Sequence, residues 1–231
     1  MLVKAVLFDF DGPINDSFRE GLRRIEVLCG INGLEFNREK RRNLLRYWGL
    51  PGVKLLQLGL GIPEDEAVRV YQQWEIYDLV YLVPLVPGSR EMLIHNRLAG
   101  IVNTLITSRN RDNVLPILEK HGIRDYFSVI QTKQDWPIGK FDPTSGVPNP
   151  KVFDYALKVL QNLGIGKEEC VFVGDTPSDV ECGLAAGIEM VVVLTGPYWM
   201  EHFINYPRLK PQNILPSVDY FSEWLDKYAE T

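Results

Sequence analysis

The chain has little cysteine and little histidine, and it lacks long apolar runs. Cys29, Cys170 and Cys182 are its only cysteines in 231 residues, an odd, sparse set without metal-ligand spacing. Such a set argues against a disulfide framework and reads as reduced thiols in a core. The three histidines, His95, His121 and His202, pair with no visible Ser or Cys nucleophile, which argues against a hydrolytic triad. No apolar stretch is long enough to span a bilayer, so no membrane partner is expected. Positive charge is not in excess. The formal net charge of −5 gives the whole molecule no attraction for nucleic acid. Acidic Asp9 and Asp11 interrupt the N-terminal apolar run too soon for a signal peptide, so the cytoplasm is the expected compartment. Internal repeats and low-complexity segments are missing as well.

What remains is a chain with 45% hydrophobic residues, enough for one sizeable core with a small second domain. "KAVLFDF" reads as a short buried strand ended by Gly12-Pro13. The texture then changes. "SFREGLRRIEVL", "NREKRRNLLRYW" and "PEDEAVRVYQQWEIYDLVYL" have helical period, with Gly-rich breaks between them and no convincing strand. Pro84, Pro87 and Gly88 mark a junction. Beyond it, strands such as "IVNTLITS", "YFSVIQT", "CVFVGD" and "EMVVVLTG" alternate with helices. That alternation predicts an α/β fold: a Rossmann-like parallel sheet with helices on both faces, spanning 1–15 and 88–231. The block 16–87 is then an inserted all-α domain.

Three strands deliver acids and hydroxyls to one edge of this sheet. The first ends in Asp9 and Asp11, "IVNTLITS" ends in Thr107 and Ser108, and "CVFVGD" ends in Asp175, with Asp179 four residues on. Ligands in open α/β sheets bind beyond the carboxyl ends of the strands, where strand order reverses. Asp9, Asp175 and Asp179 make a hard-oxygen cluster suited to a cation such as Mg²⁺. Thr107 and nearby backbone N–H groups suit the oxygens of an anion.

These residues carry a resemblance to the haloacid dehalogenase-like hydrolases, in the helical-cap subgroup that includes phosphoglycolate phosphatases and β-phosphoglucomutases. "DFDGPINDS" resembles the family's first motif, "LITSR" its second and "GDTPSD" its fourth, in the expected order over nearly the whole chain. The resemblance implies Asp9 as a nucleophile that forms an aspartyl-phosphate, and Asp11 as general acid and then base. It implies Mg²⁺ held by Asp9, the backbone carbonyl of Asp11, Asp175 and Asp179. Thr107 and Ser108 would contact the phosphoryl oxygens. Retention of Asp11 points to an oxygen leaving group, hence a small phosphorylated metabolite as substrate. The third motif departs from the pattern, with Val147 of "VPNPKVF" where a Lys is expected. Lys140 is the substitute expected, ahead of Lys133 and Lys151. The inserted helices would act as a cap. Their basic residues are mostly solvated faces, with Arg46 and Lys54 the candidates to meet a substrate carboxylate or second phosphate. A phosphomutase, or a weakened family member that only binds, is the alternative. A monomer or a homodimer fits either reading.

Overall fold

The computed structural model describes residues 2–140 and 147–228. The chain divides into two compact units, one of Met1–Asp16 with Pro84–Thr231 and one of Ser17–Val83. The insertion therefore ends a few residues earlier than the Pro/Gly junction suggests. Backbone hydrogen bonds from Asp16 N–H to Pro84 O and from Val86 N–H to Ile14 O, both at 2.9 Å, tie the re-entering chain to the segment that left the sheet.

The sheet unit opens with β1 (Ala5–Asp9). After the insertion come α5 (Ser89–Leu98), β2 (Val102–Ile106), α6 (Arg111–Lys120) and β3 (Phe127–Gln131). Then follow α7 (Asp154–Asn162), β4 (Cys170–Gly174), α8 (Pro177–Ala186) and β5 (Glu189–Val193). The short α9 (Met200–Phe203), β6 (Ile214–Leu215) and α10 (Phe221–Tyr228) complete it. Every pairing is parallel, in the order β3-β2-β1-β4-β5-β6. The two-residue β6 is too short to show a period and escapes a sequence reading.

β1 lies in the middle and is buried at all five positions, as a strand covered on both faces must be. Successive side chains alternate between the faces. Val6 and Phe8 enter one core with Met92 and Leu93 of α5, Ile117 of α6, and Phe221 and Trp224 of α10. Ala5 and Leu7 enter the other with Ala156 and Leu160 of α7 and Val180 of α8. The chain runs from β1 outward through β2 to β3, then crosses to β4 on the other side. The reversal point is thus between β1 and β4, the place where such sheets bind ligands.

The second unit is all-α: α1 (Ser17–Asn32), α2 (Arg38–Tyr47), α3 (Gly52–Leu60) and α4 (Glu64–Val80). The helix α3 is bounded by Pro51 and Gly61 and contains Gly59, a composition that hides it among turn signals. Gly59 earns its place by contact, because a Cβ there would sit 2.5 Å from Leu44 of α2. Leu22, Ile25, Leu44, Leu56 and Trp74 form this unit's own core. Arg24 and Asp78, both buried, pair between α1 and α4, and Arg24 also donates to Tyr81 O. No helix among the described residues is long and apolar enough to cross a membrane.

Phe8 is fully buried and meets Phe221 edge-on at 6.1 Å between ring centres. Phe8→Ala should lower the unfolding free energy in urea by about 3–5 kcal/mol. Leu98→Ala, at a side chain 85% exposed, should change it by no more than about 0.5 kcal/mol. Equal effects at the two positions would contradict this packing.

Candidate active site

Strand register assembles the site. Asp9 stands opposite Ile106 of β2, and Phe8 opposite Val173 of β4. Each neighbouring strand then ends within a residue or two of that level. Thr107 follows β2 and Asp175 follows β4, so residues far apart in sequence reach one edge together.

Asp9, Asp175 and Asp179 are all buried, and one carboxylate oxygen from each lies within 4.8 Å of the others. Asp9 Oδ1 accepts from Phe10 N–H at 2.7 Å, which aims the second oxygen into the site. Asp179 serves two purposes. It sits in the first turn of α8, where Oδ2 accepts from Thr176 N–H at 3.0 Å and from Asp175 N–H at 3.2 Å, capping the helix. Its other oxygen, Oδ1, meets Lys140 Nζ at 2.6 Å. Asp175 Oδ1 is buried with no hydrogen-bond partner among the described residues.

Two glycines make room for this arrangement. Gly12 has φ +101°, and a Cβ there would fall 2.2 Å from Asp175 Cγ. A Cβ on Gly196, just after β5, would fall 2.0 Å from Asp175 Oδ2. Thr195 Oγ1 donates to Gly12 O at 2.8 Å, locking these two loops together. An unpartnered buried oxygen, an all-oxygen donor set and backbone pressed against it from two sides fit a hard divalent cation.

Of the three lysines weighed for the third-motif role, Lys140 is the one that reaches the acids. Lys140 Nζ lies 2.7 Å from Asp9 Oδ2 as well as 2.6 Å from Asp179 Oδ1. Asn149 N–H donates to Lys140 O at 2.8 Å, so Lys140 adjoins the "NPKVF" segment despite the intervening residues, of which 141–146 lie outside those described. Val147 is 57% exposed, and Lys133 and Lys151 are exposed too. Burial works against the Lys140 charge, but Asp179 and Asp9 outweigh it and hold the ammonium well above its ordinary pKa. Burial pushes the Asp9 carboxyl up to about 7, with Lys140 pulling it down and the charges of Asp179 and Asp11 adding to the rise. Burial likewise carries Asp175 well above the carboxylate range, reinforced by Asp179 and Asp9.

Asp11 turns its side chain to a partner that the sequence reading passed over. Arg109 Nε donates to Asp11 Oδ2 at 2.7 Å and Arg109 Nη2 to Oδ1 at 2.8 Å. Its position right after Thr107-Ser108, in the quoted "LITSR", was the available signal. Thr107 is buried and its Oγ1 accepts from Arg109 N–H at 3.1 Å, while Ser108 is exposed. Arg46 and Lys54 belong to the helical unit. There the Arg46 guanidinium lies 5.7 Å from the Tyr47 ring centre, and Lys54 Nζ donates to Gln57 Oε1 at 3.1 Å.

Acids brought by β1 and β4 to the reversal point of a parallel sheet place the protein in the class of Rossmann-like α/β enzymes. The sequence match is narrower. The family model of the haloacid dehalogenase-like hydrolases spans residues 6–193, and the chain belongs to that family. It is 31% identical over 206 residues to a phosphoglycolate phosphatase of Yersinia pseudotuberculosis, covering 84% of this chain and 82% of that one. It is 30% identical over 225 residues to a phosphoglycolate phosphatase of Salmonella typhimurium, with the same coverage of 84% and 82%. Among solved structures, a haloacid dehalogenase-like hydrolase of Streptococcus pneumoniae matches with a TM-score of 0.73 at 17% identity, over 96% of this chain and 98% of that one. CbbY from Rhodobacter sphaeroides, solved in complex with phosphate, matches at 0.71 and 21% identity over 97% and 100%. At these identities the structural likeness speaks for the fold.

The raised carboxyls have a consequence for stability. Without metal, Asp9 titrates at about 7 when folded against an ordinary 3.8, so its contribution is full below 3.8 and is lost as pH rises through about 7. The melting temperature in chelator should fall across that window for this pair of acids. A saturating hard divalent cation should raise it more at about pH 8 than at about pH 5, because protons and cation compete for the same oxygens. A cation-induced rise that is the same at both values would count against a metal bound by this cluster.

Proposed function

We propose that this protein is a Mg²⁺-dependent phosphomonoester hydrolase that acts on a small phosphorylated metabolite through an aspartyl-phosphate on Asp9. The convergence of Asp9, Asp175 and Asp179 around Lys140 carries the reading, and the names of its phosphoglycolate phosphatase relatives support it. Asp9, Asp175, Asp179 and the Asp11 carbonyl are the groups to hold Mg²⁺, which when bound neutralises the charge that would otherwise repel a phosphate dianion from a carboxylate.

The chain's own residues do the rest. Asp9 Oδ attacks phosphorus as the bond from phosphorus to the leaving oxygen breaks. Asp11 passes a proton to that oxygen. In the second half Asp11 takes a proton from water, the water oxygen bonds to phosphorus, and the Asp9–phosphorus bond breaks, releasing phosphate. Lys140 keeps Asp9 oriented and offsets negative charge on the transferring group. Thr107 and Ser108 donate to phosphoryl oxygens. For the helical unit it is the family resemblance that supports a cap's role, with Arg46 and Lys54 the candidates to meet a second anionic group. Val147 at the third-motif position is what would favour a member that only binds, and a lysine 2.7 Å from Asp9 supports the catalytic reading instead. No observation favours a mutase over a hydrolase.

Release of p-nitrophenol from p-nitrophenyl phosphate should require Mg²⁺, stop with chelator and drop to background in Asp9→Asn. Undiminished release by that variant would reject the reading. Lys140→Ala should lower kcat about 10²–10³-fold, the usual cost of removing one charge-stabilising donor. Full activity in Lys140→Ala would show that another cation fills the role.

A further inference from the structure

Arg109 is held firmly and points its donors at a carboxylate. Its N–H bonds Thr107 Oγ1, and its carbonyl accepts from Lys133 N–H at 3.1 Å, which fixes the backbone on both sides. The guanidinium stands 5.7 Å from the centre of the Phe10 ring. Two parallel N–H···O bonds then join it to Asp11, the fork geometry in which arginine recognises a carboxylate. Asn15, fully buried, adds a third donor to the same group, from Nδ2 to Asp11 Oδ1 at 3.2 Å.

The Asp11 side chain is 33% exposed and that of Arg109 15%, so solvent reaches the pair and it is open to exchange. On the hydrolase reading above, Asp11 has to leave this fork to reach the leaving oxygen. The fork that Asp11 occupies beside Thr107 is one that a carboxylate already fits.

We propose that Arg109 exchanges Asp11 for a carboxylate on the substrate's leaving portion, so that carboxylate-bearing phosphate esters both fill the fork and free Asp11. An ester with a neutral leaving portion leaves the guanidinium without that partner, and a site built to bond a group discriminates against analogues that lack it. Specificity for acidic esters thus resides in the sheet unit, at the end of β2.

Calorimetric titration with non-hydrolysable probes tests this apart from turnover. Mg²⁺-loaded wild-type protein should bind phosphonoacetate at least about tenfold more tightly than methylphosphonate, which lacks the carboxylate. Arg109→Leu should erase the preference while keeping methylphosphonate affinity within about threefold. Arg109→Lys, which retains a point charge without the fork, should keep part of it. It also serves as the second variant if the leucine protein melts early. Arg69→Leu, at a surface arginine paired with Glu66, should leave the preference intact. Absence of any preference in wild type, its persistence in Arg109→Leu, or its loss in Arg69→Leu would overturn the proposal. Hydrolysis of p-nitrophenyl phosphate by the wild type is scored separately. Failure there with an Arg109-dependent preference intact would sink the hydrolase reading and leave the receptor standing.

Discussion

A single ammonium group shared by two buried carboxylates organises this molecule. Lys140 lies within 2.7 Å of Asp9 and 2.6 Å of Asp179, and Asp175 crowds against the same pair. Three acids at such spacing in a buried pocket repel one another and resist ionisation, as the upward pull on Asp9 and Asp175 records. One lysine offsets only part of that charge. The residual imbalance suits the cluster to a divalent cation, and it is a cost that the rest of the fold has to carry.

The sheet carries it through geometry. Register sets Asp9 level with the ends of β2 and β4, and two interlocked loops bring Gly12 and Gly196 against the Asp175 carboxylate. Neither glycine can take a side chain without displacing that carboxylate. The capping box of α8 contributes as well, because Asp179 gives one oxygen to the N–H groups of Asp175 and Thr176 just ahead of the helix and keeps the other for Lys140. A capping acid and a site acid are here the same residue, so the ordinary structural role and the chemical one do not compete.

The same economy separates the two acids of the first motif. Asp9 and Asp11 are one residue apart, yet their environments differ. Asp9 faces the buried cluster and Lys140, while Asp11 is partly exposed and faces Arg109 and Asn15. The proposed mechanism asks for such different surroundings, one for an attacking carboxylate and one for a proton carrier. Arg109, two residues past Thr107, supplies the difference from the end of a neighbouring strand.

Much of this was legible beforehand, and for identifiable reasons. Alternating strands and helices dictate a parallel sheet, because each strand must be covered on both faces. Asp9, Asp11, Thr107 and Asp175 could be picked out because each sits at or just past a strand end, with Asp179 four residues beyond Asp175, and the strands of a parallel sheet all end on one side. What local pattern cannot carry is distance through space. The helix α3 was hidden by its glycines and the two-residue β6 by its brevity. That Lys140, of the three candidate lysines, is the one that reaches Asp9 depends on tertiary contacts, among them the hydrogen bond from Asn149 N–H to Lys140 O. Arg109 stood next to a recognised motif, but only the packed sheet brings its guanidinium onto Asp11. The sequence by itself determined the fold class and the order in which acids reach the edge, since these follow from periodicity and chain direction. The tertiary structure alone decided which cation faces which acid, since charge pairing depends on separations of a few ångströms between residues a hundred positions apart.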